Sequence, residues 1–518
     1  MTGQPPGISD AQPVVIYSEP GVQRDGTLLA GDAHVDADWC RWQRRGPRVL
    51  PRKIGGYRKI ASLSGPVYGL HMHNVDDQAF IHAGWSDGIQ KISIDRNSAV
   101  IGGVDDRTPV GFSANANNEW KIVAMRNQAS TNTAIVAHAA PNLDDIANQF
   151  ERPIYIGDIA GNAPLTAIAD PLAVADGGIT VLPPYLFLFG SNGRIRWSDA
   201  NQPEVWTGGD ANGAFITDQK IVAGMPYRGG PVNAPSGIFW SLNSVIRAGY
   251  TGSAGVFRFD TLSSQSSILS SNSIVEYDGL FFWCGLDRFL VFNGTVNDLP
   301  NSMCLNYFYD NLNYACAEKV FGFKVPRYGE IWWCYPRGTA TECTHAVIFN
   351  VREKCWYDVT LPANFRTAGY FAQVYRYPIM TDGAGSTAGL WQHEFGVDSV
   401  DGTNVQPIRS FYETGDYNWM LPSSPNARPM NTWTTLRAVE PDFIQSGEMT
   451  FSTISKSNAR ATERSGSLYP FQPSTQLVYP KEQGREMRFR FESNVVGGDY
   501  QAGISLAHIT TGDGTVLS

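Results

Sequence analysis

The chain has 518 residues, 42% of them apolar and 12% aromatic, with a net charge of −9 and a pI near 5.4. That length exceeds one ordinary core, so at least two domains are expected. The acidic balance argues against a protein that grips nucleic acid by neutralising phosphates, though not against one that lets it slide past.

Only 17% of residues are charged, while Gly (52) and Pro (31) are abundant. This favours an all-β protein with much buried surface, some of it between subunits. Residues 1–10 lack the basic start and apolar run of a signal peptide. No run of 18 apolar residues occurs. Folding in a cytoplasm, without membrane insertion, is therefore expected.

Residues 1–60 are rich in Gly, Pro and Asp and poor in apolar periodicity, and they are expected to form an extended N-terminal arm. The turn-rich Pro20-Gly-Val-Gln-Arg-Asp-Gly-Thr leads to Trp39-Cys-Arg-Trp-Gln-Arg-Arg-Gly-Pro-Arg and then Pro51-Arg-Lys-Ile-Gly-Gly-Tyr. A basic patch on an acidic chain is informative. Here it is interleaved with tryptophans that are costly to leave in water. Trp39, Arg41, Trp42, Arg44, Arg45, Arg48, Arg52 and Lys53 are candidate docking residues for an acidic partner or for nucleic acid. A solvated, positively charged arm is the plainer reading.

Residues 61–415 read as a train of short strands, with turn signals every eight to twelve residues. Val67 to Asn74, Ala79 to His82 and Gln90 to Ile94 begin it. Tyr185 to Phe189 and Arg194 to Trp197 are joined by Ser191-Asn-Gly, a hairpin turn. Ile331 to Tyr335, Ala346 to Phe349 and Cys355 to Val359 form an antiparallel meander that cannot cover both of its own faces. Leu188-Phe-Gly-Ser-Asn-Gly-Arg-Ile-Arg-Trp-Ser, Phe282-Trp-Cys-Gly-Leu-Asp-Arg-Phe and Phe321-Gly-Phe-Lys-Val-Pro-Arg-Tyr share one layout of strand, basic turn and strand. Such units recur at roughly 40 to 50 residues, the size of a propeller blade, and about 22 candidate strands predict six or seven blades. Helices are expected only over Asp144 to Glu151 and Tyr307 to Lys319.

Gly396-Val-Asp-Ser-Val-Asp-Gly-Thr-Asn and Pro422-Ser-Ser-Pro-Asn-Ala-Arg-Pro mark a boundary. Residues 416–518 are expected to be a smaller β-sandwich-like domain. In it, Met487-Arg-Phe-Arg-Phe-Glu alternates as a half-buried strand should.

Chemistry is sparse. His71 and His73 point to one face of a strand, and with His82 they are the best metal candidates; packed histidines are the plainer reading. Asp32, Asp36 and Asp38, and Asp398 with Asp401, do not match a calcium loop. The seven cysteines (Cys40, Cys284, Cys304, Cys316, Cys334, Cys343, Cys355) contain no CxxC, so small buried hydrophobes or late-formed disulfides are the alternatives. Trp197-Ser-Asp-Ala-Asn-Gln-Pro-Glu-Val-Trp is loosely similar to the Asp-box turn of sialidase-like propellers, without its Gly. No P-loop, dinucleotide fingerprint or Gly-x-Ser-x-Gly is present. No catalytic residue, cofactor or metal is therefore assigned. A carbohydrate-binding or glycan-cleaving propeller stands as the alternative function; it calls for arginines and carboxylates around a central pocket.

Several stretches together resemble the tail hub or nozzle proteins of short-tailed bacteriophages. They are Gly21-Val-Gln-Arg-Asp-Gly-Thr, Trp39-Cys-Arg-Trp-Gln, Gly46-Pro-Arg through Lys53-Ile-Gly-Gly-Tyr, and Ser270-Ser-Asn-Ser-Ile-Val-Glu-Tyr-Asp-Gly-Leu-Phe-Phe-Trp. To these are added Glu330-Ile-Trp-Trp-Cys-Tyr-Pro, His345-Ala-Val-Ile-Phe-Asn, Trp356-Tyr, and Leu390-Trp-Gln-His-Glu-Phe-Gly-Val-Asp. The resemblance implies a β-propeller-based virion protein, assembled in the host cytoplasm into a homo-hexameric ring below the portal and its adaptor. Such a ring carries fibre, spike or needle proteins, retains packaged double-stranded DNA and conducts it at genome ejection. The cysteine cluster is not a feature of that family.

Overall fold

The computed structural model describes residues 11–27, 32–75, 77–95, 101–115, 118–141, 152–227, 234–253, 255–363, 365–383, 388–417 and 432–513. The helix expected over Asp144 to Glu151 and the Pro422 boundary segment lie outside the described residues.

Blade-like stacking is written into the strand Glu330–Tyr335. Side chains alternate across a sheet. Here Ile331, Trp333 and Tyr335 enter one core with Phe282 and Phe289, while Trp332 and Cys334 enter another with Met380 and Trp391. Both faces are covered, so from Ile331 onward the strand is apolar without alternating polar residues. The same device recurs along the chain, and the protein is all-β.

Among the described residues, six successive four-stranded antiparallel sheets occupy 67–106, 118–167, 178–215, 221–263, 275–298 and 321–360. A seventh combines Ala368–Tyr370, Ile379–Thr381 and Gly389–His393 with Tyr57–Ser62 from the other end of the chain. We number these blades one to seven. A distinct apolar core fills each cleft between neighbours. Trp240 and Trp283 meet between blades four and five, and Val67, Met72, Ala368 and Leu390 meet between blades one and seven. The ring is thus propeller-like and is closed by Tyr57–Ser62.

Turn chemistry explains the hairpins. Asn192 and Gly193 take φ of 56° and 63° between Tyr185–Phe189 and Arg194–Trp197, the left-handed pair that a tight hairpin needs. Gly69 and Gly84 serve packing: a Cβ on either would come within 2.2 Å of Trp120. The Trp120 indole lies against Gly84, its backbone carbonyl faces Gly69, and the indole N–H donates to the Trp85 carbonyl at 2.7 Å.

The helix expected over Tyr307 to Lys319 is broken in two. Leu305–Tyr309 is α-helical and Tyr314–Lys319 is a 3-10 turn. Between them Leu312 pairs with Arg337, and the Asn313 side chain accepts from the Ala315 amide at 3.2 Å. An Asn that binds its own backbone in this way interrupts a helix and starts another. Among the described residues no helix is long and apolar enough to cross a membrane.

A second β-unit is assembled from both ends of the described chain. Thr434–Glu440, Met449–Lys456, Glu486–Ser493 and Leu506–Thr511 form its sheets. Gln12–Val15 pairs with Leu506–Thr511, Asp36–Asp38 pairs with Ser410–Glu413, and the hairpin Cys40–Arg45/Arg48–Lys53 reaches Asp499–Ala502. The N-terminal segment is extended, and its strands complete these sheets. Met487, Phe489 and Phe491 face the core as their alternation predicts. The intervening Arg488 is only 4% exposed and binds Glu413 and Glu463. Residues 476–479 make only the isolated bridge Val439–Val478.

Candidate functional site

The eight candidate docking residues divide by depth. Trp39, Arg41, Trp42 and Lys53 are buried. Their expected role as a docking surface is corrected: they are internal parts of the joint between the propeller and the second β-unit. Trp39 adopts φ 50° and donates its indole N–H to the Thr360 carbonyl at 2.9 Å. The Trp42 ring packs 5.2 Å from Tyr357 and 5.1 Å from His34. Lys53 donates to the Gly498 carbonyl at 2.7 Å, and burial lowers its pKa to about 8. Arg44 is 57% exposed and pairs with Glu353 at 2.8 Å. Arg45 and Arg48 face each other across the hairpin, and Arg48 lies over Tyr17. Arg52 is half-buried and donates to Gln43 Oε1 at 2.8 Å.

Arg41 is the centre of the joint. Its Nε and Nη2 hold Glu330 at 2.7 and 3.0 Å, and its Nη1 and Nη2 hold Glu394 at 2.9 and 2.5 Å. Glu330 also accepts from Tyr357 at 2.6 Å and from the Trp332 indole at 2.9 Å. A two-pronged guanidinium suits two carboxylates. Burial still pushes the Glu330 carboxyl upward, against the lowering by Arg41. A second tie lies nearby: Arg24 joins Asp358 at 2.9 Å and Asp36 at 2.7 Å. Asp25 accepts from the Asn306 and Tyr307 amides at the start of the short helix, each at 2.8 Å. Glu330, Glu394 and Asp358 do not stand out in the sequence, because the arginine that each one pairs with lies 289 to 353 residues away.

The other candidates resolve into packing. His71 and His73 stack at 6.4 Å, and His82 lies opposite His71 in the neighbouring strand, so the three share a face as expected. Burial lowers all three pKa values, that of His71 to about 3. No group of three metal-ligating side chains gathers among the described residues. Asp36 is paired with Arg24, and Asp38 accepts from the Trp39 and Thr360 amides. Asp398 accepts from the Gly497 amide, and Asp401 approaches Lys59 at 4.0 Å. In the turn after Trp197, Asp199 accepts from the Asp210 amide at 3.0 Å and from Gln202 at 2.7 Å, which closes a structural loop.

The inner strands of all seven blades enclose a cavity of about 950 Å³ on the propeller axis. Lys121 projects there and donates to Ser271 at 2.7 Å and to Asn272. Its pKa is lowered by burial. The wall is mixed: Tyr68, His71, Thr180, Ser236 and Thr367 interleave with apolar side chains. Among the described residues the lining holds neither arginine nor carboxylate, the groups a glycan-cleaving centre calls for.

All seven cysteines are free thiols, and every one except Cys316 is buried. Burial raises the pKa of each, that of Cys40 to about 12. Buried thiols with raised pKa are unreactive. Titration of the native protein with a thiol reagent is therefore expected to modify Cys316 alone within minutes, and all seven after denaturation. Rapid reaction of several native thiols would contradict this packing.

No protein-family model matches the chain, and no curated protein matches it.

Proposed function

We propose that this protein is a structural subunit of a virion tail, the hub or nozzle of a short-tailed bacteriophage. In this reading it assembles as a homo-hexameric ring beneath the portal-adaptor, retains packaged DNA, and conducts it outward at ejection. The ring also carries fibre, spike or needle proteins.

One observation supports the reading most. The stretches that resemble that family lie far apart in sequence, and most of them meet at the joint described above. Arg24 and Asp25 of the first stretch bind Asp358 and the helix start. Arg41 of the second binds Glu330 and Glu394, which belong to two further stretches. Tyr57 stacks on His393 at 5.4 Å, and the Trp333 indole donates to Ser273, within the blade-five stretch, at 2.8 Å. Residues with a shared structural task are the ones that a shared architecture would fix. The low charge content fits surface buried between subunits, and a chain of net negative charge would not hold DNA by counterion release.

Electron microscopy of the purified protein and of particles containing it is the test. Six-fold rings are expected. A stable monomer in solution, together with particles lacking any such ring, would sink the proposal.

A further inference from the structure

Tyr328 lies in the turn between two strands of blade six. Its ring is flanked by Arg41 at 3.6 Å, Arg327 at 5.2 Å and Arg52 at 5.6 Å. Arg41 is buried and held between Glu330 and Glu394, whereas Arg327 and Arg52 are in no ion pair among the described residues. Arg327 and Arg376, both exposed, flank a recess of about 50 Å³ walled by Tyr328, Phe371, Tyr377 and Pro378. Glu394 also lines it, and both carboxylate oxygens of that residue accept from Arg41.

Three more arginines surround this recess. Arg352 donates to the Arg327 and Pro326 carbonyls at 3.0 and 2.7 Å, which fixes its guanidinium beside the turn. Arg58 lies over Phe395 at 3.9 Å, and Phe395 in turn contacts Tyr377. Arg58 and Arg52 donate only to the neutral side chains of Gln392 and Gln43. Among the described residues, none of Arg52, Arg58, Arg327, Arg352 and Arg376 forms an ion pair, although the chain carries nine more negative than positive charges.

We propose that this face is a receptor for an acidic segment of a partner protein. One aspartate or glutamate side chain enters the recess between Arg327 and Arg376, and neighbouring carboxylates reach Arg52 and Arg352. Three features select this occupant. Five arginines without an ion pair gather here, and the one carboxylate in the recess lining, Glu394, is already held by Arg41, so a carboxylate-rich segment relieves a real electrostatic cost. The recess holds a group of carboxylate size, and its aromatic and proline walls exclude the water that would screen the pair. Duplex DNA fits less well, because its phosphates lie on a convex cylinder that cannot dip into a recess. A long polyanion would also meet the net negative surface beyond the patch. The inference does not rest on the tail-ring reading, since it concerns one face of a single subunit.

The test is fluorescence anisotropy with a labelled octaglutamate peptide and, separately, a labelled 20-base-pair duplex, at low salt. Octaglutamate is expected to bind and to be released by added salt. The double substitution Arg327→Ala with Arg376→Ala should weaken binding about tenfold or more. Both side chains are exposed, so the variant should unfold at the wild-type temperature. Arg258→Ala serves as a control on blade four, where Arg258 is exposed and already paired with Asp260; binding should be unchanged. Three results would overturn the proposal: no binding of octaglutamate, equal binding by the double variant, or tighter binding of the duplex with the same sensitivity to the two substitutions.

Discussion

Replacement of Arg41 by alanine should lower stability by about 3–5 kcal/mol, because it strands two carboxylates without the cation that holds both. Arg41 is 1% exposed, Glu330 is fully buried and Glu394 is 9% exposed, so water cannot take over the role of the guanidinium. The loss should depend on pH in a definite direction. Burial already raises the Glu330 carboxyl above its usual range, and Arg41 opposes that rise. Without Arg41 the folded-state value climbs further, while the unfolded value stays near the ordinary carboxylate range of about 4.3. Between those two values the folded state holds a proton that the unfolded chain has released, so stability falls as pH rises through the window. The Arg41→Ala variant should therefore be closest to wild type at acid pH and fall furthest behind near neutrality. Adding Glu330→Gln should recover part of the loss at neutral pH, since it removes one stranded charge and keeps an acceptor for Tyr357 and Trp332. Denaturation midpoints across pH 4 to 8 measure all three proteins. An Arg41→Ala midpoint equal to wild type, or one that improves with rising pH, would contradict this account of the joint.

The joint also marks the limit of what the sequence makes visible. Local pattern reveals the blades. Ile331 to Tyr335 is apolar without a break, and alternation alone says that such a strand needs cover on both faces. Asn192-Gly193 announces its hairpin because few other residue pairs accept that backbone. The basic run from Arg41 to Lys53 misleads for a physical reason. Its strands form a hairpin whose base lies inside the molecule and whose tip, near Arg45 to Arg48, lies outside. Position along the hairpin decides which arginine is buried, and clustering in sequence carries no information about it. Arg41 and Glu330 are separated by 289 residues, and no local spacing links them. The recess near Tyr328 is hidden in the same way. Arg52, Arg327 and Arg376 come from three remote segments, and each alone looks like an ordinary surface arginine. In the stretch Tyr307 to Lys319, Tyr307, Leu312, Tyr314 and Ala315 would share one face of a helix, a pattern that cannot register the competing hydrogen bond of Asn313.

Closure of the ring by Tyr57–Ser62 gives the second large effect. Arg58 lies opposite Gln392 on one side and Val400 on the other, so its strand is paired on both edges at that point. Proline there must delete one ladder hydrogen bond and crowd the neighbouring strand, so its cost should clearly exceed the ~1 kcal/mol of a single hydrogen bond. Arg58→Ala separates side chain from backbone: it removes the contacts with Gln392 and Phe395 and leaves the ladder intact, so its cost should stay near 1 kcal/mol. The pattern of the damage is as informative as its size. Tyr57–Ser62 is the fourth strand of blade seven, and blade seven packs against blade one through Leu390, Ala368 and Val67. Loosening one strand should therefore loosen the seam between the first and last blades. Hydrogen exchange of Arg58→Pro is expected to quicken in Gly389–His393 and in Val67–Val75, with little change in blades three and four. If exchange quickens only within Tyr57–Ser62 while the unfolding midpoint holds, that strand is an ornament on an independently closed ring, and the seam lies elsewhere.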